Sequence, residues 1–161
     1  MDTHDKHETK AMGGMHYRNL AVMALLSYGA MYALMYAMVD RFANVYPNFN
    51  QAYMAGLMTA PMIVIELLLM RGMYSNRKAN AAILAGSLAL LAACFLAIRF
   101  QAGISDKQFV KSMIPHHAGA LLMCEQASLK DPEIKALCEQ IKAGQQSEIE
   151  FMKSKLEQLD Q

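Results

Sequence analysis

Three long, mostly apolar runs occupy the first part of the chain, and they predict three membrane-spanning helices. The runs are residues 19–39, 52–70 and 79–98. Each is close to the ~20 residues with which an α-helix crosses a hydrocarbon core roughly 30 Å thick. The polar segment 40–51 predicts an irregular loop between the first two spans, and a short basic segment joins the second span to the third. Residues 19–98 are therefore expected to form a three-helix transmembrane anchor.

Lysine and arginine residues near the spans predict the orientation of this anchor. The tail of residues 1–18 and the segment 71–78, which share one side, carry six of them, whereas the opposite side carries four near the spans. We expect a cytoplasmic N-terminal tail (1–18) in a bacterial inner (plasma) membrane, and a C-terminal domain that is periplasmic or extracellular. The first run is too long for a signal-peptide core and lacks a small-residue cleavage site, so we expect it to remain in the mature protein.

Residues 105–161 predict a helical hairpin, which makes the expected fold class all-α. Ser105 followed by Gln108 predicts one helix start, and Asp131-Pro132-Glu133 predicts another. Apolar residues recur at steps of three and four along both helices, at Phe109, Met113, Ala120, Met123 and Ala127 in the first and at Ile134, Cys138, Ile141, Met152 and Leu159 in the second. Because each helix has one apolar stripe, a lone hairpin cannot enclose its seam. We expect a homodimer whose two hairpins form a four-helix bundle.

Methionine and histidine residues concentrate on the predicted inner face of this hairpin. The chain has fifteen methionines and no tryptophan. Met113, His116, His117 and Met123 fall in one sector of the first helix, and folding about Asp131 brings them level with the second. Thioether and imidazole ligands together select copper before zinc or iron. The alternative is an ordinary core, because methionine in a helical stripe usually fills space.

Two stretches of the hairpin resemble a known family. The stretch Phe109–Ala120, which contains Met113-Ile-Pro115-His116-His117, and the stretch Gln145–Met152 are similar to the CopM-like family of small ferritin-like helical domains. Some members of that family bind copper through methionine and histidine. The resemblance covers residues 105–157. Gln145 and Glu148 match the family pattern too, and we interpret them as residues that orient an imidazole. The resemblance implies these copper ligands: His116, His117, Met113, Met123 and Met152.

The two cysteines of the hairpin predict a disulfide bond. Cys124 and Cys138 each lie seven residues from Asp131, so an antiparallel hairpin places them level with each other. An extracytoplasmic compartment would favour their oxidation. The alternatives are two buried thiols or two further Cu(I) ligands. Cys94 lies inside the third span and is expected to remain free.

Several other residues have two interpretations each. Glu66, the acidic residue inside a span, is either a proton or cation site or, as we favour, a carboxylate that pairs with Arg71 near the cytoplasmic end. His4 and His7 either hold a metal or belong to a solvated tail. The methionine rows of the first two spans are either packing material or a copper relay, and packing is favoured. Gly56 belongs to a small-residue row that favours close helix packing.

Together these features predict a membrane-anchored extracytoplasmic copper-binding protein for copper tolerance, buffering or delivery. The alternatives are a structural or assembly subunit of a membrane complex with a dimerising hairpin, and a small oligomeric transporter. The net charge of +1 and the lack of a nucleic-acid motif predict no nucleic-acid partner. No nucleophile–base pair, phosphate-binding loop or dinucleotide fingerprint is present, so we do not expect an enzyme.

Overall fold

The computed structural model describes the backbone of residues 3–159 and the side chains of residues 14–159, and its fold is all-α. His4, His7 and their suggested metal-binding role lie outside the described side chains. Two 3-10 turns, Met35–Met38 and Phe42–Asn44, lie between the first and second α-helices. The α-helices are α1 (Thr3–Leu34), α2 (Phe49–Leu69), α3 (Arg77–Phe100), α4 (Asp106–Gln126) and α5 (Pro132–Leu159).

Among the residues that the structure describes, three segments are long and apolar enough to cross a membrane, as the sequence predicts. They are Gly14–Met38, Phe49–Leu69 and Arg77–Phe100. The chain divides into two compact units. The anchor unit contains the chain up to Tyr32 together with Ala52–Ala102, whereas the loop Ala33–Gln51 belongs with the hairpin in the second unit.

The hairpin helices begin where the sequence predicts, because their capping side chains make the expected bonds. The Ser105 hydroxyl accepts a hydrogen bond from the Gln108 backbone N–H at 3.4 Å. Asp131 Oδ1 accepts from the backbone N–H groups of Glu133 and Ile134 at 2.8 and 3.1 Å. Each bond satisfies an N–H group that has no partner within the first helical turn. α4 ends at Gln126, one residue before the last predicted apolar position.

The core of the hairpin uses a different face of α4 from the predicted one. Its buried residues are Ile114, Ala118 and Leu121 on α4 and Ile149, Met152 and Leu156 on α5. Phe109 and Met123, which belong to the predicted stripe, are 51% and 55% exposed. The reason is the loop Ala33–Gln51, whose Val39 and Tyr46 pack against this core and cover a neighbouring side of α4.

A proline inside α4 creates the polar contact with this loop. Pro115 has no N–H group, so the carbonyl of Lys111, four residues earlier, lacks its usual helical donor. Asn48 Nδ2 donates to that carbonyl at 3.4 Å and to the Tyr46 carbonyl at 2.9 Å. Asn48 Oδ1 accepts from the Gln51 backbone N–H at 2.9 Å and thereby caps α2. One buried asparagine therefore starts α2 and fastens the loop to α4.

Further contacts of the same loop explain two more positions of α4. A Cβ atom on Gly119 would lie 3.4 Å from the carbonyl oxygen of Met38, so a larger residue would press on the loop backbone. Gln108 Oε1 accepts from the Phe49 backbone N–H at 3.1 Å. Pro115 and Gly119, which belong to the stretch that resembles copper-binding domains, are buried and face this loop side of the helix.

The anchor unit contains the close packing that its small residues predict. A Cβ atom on Gly56 would lie 2.7 Å from Cys94 Sγ, so α2 and α3 approach closely only because this position is glycine. Met31 Sδ accepts from the Thr59 hydroxyl at 3.6 Å. At the other end, the Tyr74 hydroxyl donates to Glu66 Oε1 at 3.5 Å, a partner that the sequence did not suggest. Burial, reinforced by the Glu66 carboxylate, raises the pKa of Tyr74 and keeps its hydroxyl protonated as a donor.

Candidate metal-binding face

His117 is buried between α4 and α5, and both of its ring nitrogens have partners. The residue is 8% exposed. Nδ1 lies 2.9 Å from the Met113 carbonyl oxygen, which can only accept, so the Nδ1–H group donates. Nε2 lies 2.7 Å from Glu148 Oε2, a distance at which a proton lies between the two atoms. His117 can therefore bind a metal ion only if the ion displaces this proton.

Glu148 fixes the orientation of the His117 imidazole through this contact. Its side chain is 58% exposed, so the carboxylate reaches from solvent to the edge of the buried ring. Two fixed nitrogens leave the His117 ring no freedom to rotate, and a metal-bound histidine is oriented by hydrogen bonds of this kind. Gln145, for which we expected the same role, lies one turn earlier on α5 and is half-buried.

His116 and His117 are neighbours in the chain, but they lie on different sides of α4. Successive residues of an α-helix differ by about 100° in direction. His116 is accordingly exposed, and its ring makes an edge contact with the His117 ring at a centroid distance of 5.9 Å. The two imidazoles therefore belong to different surroundings, one solvated and one enclosed.

Three of the five predicted ligands share one exposed row of α4. This row, which we call the open stripe, follows steps of four and three residues and comprises Phe109, Met113, His116, Ala120 and Met123. Met113 and Ala120 are half-buried, and the other members are exposed. Residues three apart on a helix have Cβ atoms roughly 5–6 Å from each other, so the Met113 thioether and the His116 imidazole are neighbours.

The remaining predicted ligand lies in the core. Met152 is 8% exposed and packs with Ile114 and Ile149. The structure therefore separates the predicted set into two exposed side chains, His116 and Met123, one half-buried thioether, Met113, that packs against the core, one enclosed imidazole and one core thioether. Among the described side chains, no group of three or more histidine, cysteine or acidic residues comes together.

The open stripe continues onto α5 as a largely apolar face. The α5 row follows steps of three and four residues and includes Glu148, the residue that contacts His117 beside the open stripe. Three of its apolar members, Ile134, Leu137 and Leu159, are 49%, 53% and 45% exposed. We call the open stripe together with this row the open face. The other exposed or half-buried members of the α5 row are Ile141, Gln145, Glu148 and Lys155, whereas Met152, at the same spacing, lies in the core and is not part of the open face.

A disulfide bond closes the hairpin near its turn and confirms the sequence prediction. Cys124 of α4 and Cys138 of α5 are bonded, with their Cα atoms 5.4 Å apart. Their sulfur atoms are therefore not available as thiolate ligands in this state. Cys94 is buried and free, as expected for a cysteine inside a span.

The part played by the loop Ala33–Gln51 is what sequence reasoning missed. Two signals point to it. A proline in the interior of an amphipathic helix frees a carbonyl that needs an outside donor. The loop is rich in asparagine, and Asn48 supplies that donor.

Comparison with known proteins gives similarity in two ranges. Residues 106–161 match the family described as "Domain of unknown function (DUF305)". Over 147 residues, the chain is 33% identical to "Uncharacterized protein L153" of Acanthamoeba polyphaga mimivirus. The aligned region covers 89% of this chain and 95% of the viral protein. No solved structure matches the chain. The viral similarity therefore extends beyond the hairpin into the apolar helices.

Proposed function

This chain belongs to the family of the mimivirus protein L153 and has a DUF305 domain at residues 106–161, and from this premise we propose that it is a membrane-anchored extracytoplasmic copper-binding protein of the CopM-like type. Its role is copper tolerance, buffering or delivery. The single observation that carries the proposal is the open stripe, on which the half-buried Met113 and the exposed His116 are neighbours beside the fixed His117–Glu148 pair.

The donor set on this stripe favours a soft ion. Thioether sulfur from Met113 and Met123 suits Cu(I), and the His116 imidazole suits both oxidation states of copper. A hard cation such as Mg²⁺ or Ca²⁺ prefers several oxygen ligands. The open face offers one carboxylate, that of Glu148, and this carboxylate is already paired with His117. The two hairpin thiols, which zinc would prefer, form a disulfide.

Two features support an extracytoplasmic location for the hairpin. The disulfide between Cys124 and Cys138 is typical of an oxidising compartment. The excess of lysine and arginine in the tail 1–18 and the segment 71–78 favours a cytoplasmic N-terminus. The proposal accordingly orients the anchor with its N-terminus in the cytoplasm, in a bacterial inner membrane, with the hairpin outside.

The open face also supports the homodimer. Monomeric proteins seldom expose contiguous apolar faces of this kind, because such faces are usually interaction sites. Residues at steps of three and four on both helices match the packing of a four-helix bundle. A second hairpin on this face would cover Phe109, Met123 and Leu137, which are all more than half exposed in one chain.

The same observations favour one alternative function, a structural subunit whose hairpin dimerises without copper. The His117–Glu148 pair is complete without a metal, and Met152 serves as a core residue. In that case His116 and Met113 would contribute only surface and packing.

Copper analysis of the full chain, purified in detergent, separates the two functions. We expect the wild-type protein to retain copper after dialysis and the His116→Ala/His117→Ala double variant to lose at least four fifths of it. Met152→Leu is the matched control, because it removes a core thioether at nearly constant volume and should leave the copper content unchanged. Equal copper in the wild-type protein and the double variant would favour the structural function.

A further inference from the structure

We propose that copper is held between two copies of this chain, by Met113 and His116 of each copy, so that neither copy has a complete site alone. This inference rests on the proposed copper function and names the partner that completes the site. It predicts one bound copper ion for two chains.

The first argument is the number of ligands that one chain offers. On the open stripe, Met113 and His116 are the adjacent donors, and Met123 lies two turns beyond His116, about 10 Å along the axis. His117 has both nitrogens engaged, and Met152 is in the core. One chain therefore presents one thioether and one imidazole to a single ion. Two such pairs give the four-ligand, sulfur and nitrogen sphere that suits Cu(I).

The second argument is symmetry. Two copies anchored in one membrane with the same orientation are related by a two-fold axis along the membrane normal. In such an interface the same surface is used by both copies, and a residue near the axis meets its own counterpart. His116 lies at the centre of the open stripe and Met113 one turn away, so an axis at this point brings two imidazoles and two thioethers together. Ala120, the next residue of the stripe, has a side chain small enough to permit close approach.

The third argument is the character of the surface around these ligands. Phe109 and Met123 flank them on α4, and Leu137 and Ile134 extend the apolar area on α5. The open face has one acidic residue, Glu148, and one basic residue, Lys155, so two copies of it do not repel each other by net charge. An apolar border of this kind excludes water from a central polar contact.

The test uses the full chain in detergent, titrated anaerobically with Cu(I), with the oligomer measured in parallel by light scattering. We expect half a copper ion per chain and a dimer. Ala120→Arg places a charge in the middle of the open stripe but leaves every ligand intact. It should give a monomer whose copper affinity is at least 100-fold lower. Ala143→Arg, on an exposed position of α5 outside the open face, is the matched control and should behave as the wild type.

A mixed dimer keeps the test decisive if Ala120→Arg disturbs folding. Differently tagged wild-type and His116→Ala chains, co-expressed and purified as heterodimers, should bind copper at least 10-fold more weakly than wild-type dimers. One copper ion per chain, or tight binding by a folded Ala120→Arg monomer, would overturn the shared site and leave the proposed function standing. Absence of Cu(I) binding by the wild-type chain would overturn both.

Discussion

Replacing Asn48 with serine tests whether the loop Ala33–Gln51 is fastened to α4 as the structure indicates. Serine is as good an N-cap as asparagine, so the cap of α2 should survive. The two hydrogen bonds donated by Nδ2, at 2.9 Å to the Tyr46 carbonyl and 3.4 Å to the Lys111 carbonyl, are lost. Asn48 is 5% exposed, so water does not readily replace them.

The expected loss of stability follows from these two bonds. A hydrogen bond contributes about 0.5–1.5 kcal/mol net, and an acceptor left buried without a partner costs about 1–3 kcal/mol. We therefore expect Asn48→Ser to lower the unfolding free energy of the second unit by about 1–3 kcal/mol. In a Pro115→Ala background the new Ala N–H group can bond to the Lys111 carbonyl. The penalty of Asn48→Ser should then shrink by about 0.5–1.5 kcal/mol, the value of one bond.

The assay is a double-mutant cycle in which each variant is unfolded with urea in detergent. Circular dichroism measures the loss of helix from α4 and α5, since the apolar spans stay helical in detergent. Asn76→Ser is the matched control. Asn76 caps α3 in the anchor unit through bonds to Lys78 and Ala79, so its replacement should not move the transition of the second unit. The reasoning is refuted if Asn48→Ser costs the same in both backgrounds, since Asn48 would then not serve the carbonyl that Pro115 frees.

Three further predictions concern the disulfide, the anchor and the topology. Thiol counting on denatured, unreduced protein should find one free thiol per chain, from Cys94, and three free thiols would contradict the Cys124–Cys138 bond. Gly56→Val should lower the thermal stability of the protein in detergent, because the new Cβ would lie 2.7 Å from Cys94 Sγ. Adding Cys94→Ala should restore part of the lost stability, and an unchanged stability of Gly56→Val would argue against this close packing. An alkaline phosphatase fused to the C-terminus should be active, and a cytoplasmic reporter active at that place would reverse the proposed orientation.

Local features of the sequence were sufficient to predict most of the helices. The apolar runs predict the three long helices, and Ser105 and Asp131 predict where the hairpin helices begin, because caps depend on residues within one turn. The equal spacing of Cys124 and Cys138 from the turn predicts their pairing. The position of the loop Ala33–Gln51 could not be predicted in this way, because its contacts with α4 join residues about sixty positions apart.

The same loop explains why the site was only partly predictable. A row at steps of three and four residues identifies a face of α4 but does not say what covers it. The sequence placed Phe109 and Met123 at the seam, whereas the core lies on the face of Ile114 and Ala118, between α5 and the loop. The His117–Glu148 contact agrees with the expectation that Glu148 orients an imidazole. His116 is exposed because its direction on the helix differs by about 100° from that of His117. The predicted sector of α4 contained both residues and did not separate them.

X-ray absorption at the copper edge, on the full chain loaded with Cu(I), tests the central claim most directly because it identifies the atoms bound to the metal. We predict that both imidazole nitrogen and thioether sulfur bind copper, and that the sulfur signal falls by at least half in Met113→Leu. The nitrogen signal should fall correspondingly in His116→Ala. A shell of nitrogen and oxygen alone, unchanged in both variants, would contradict the assignment of copper to the open stripe.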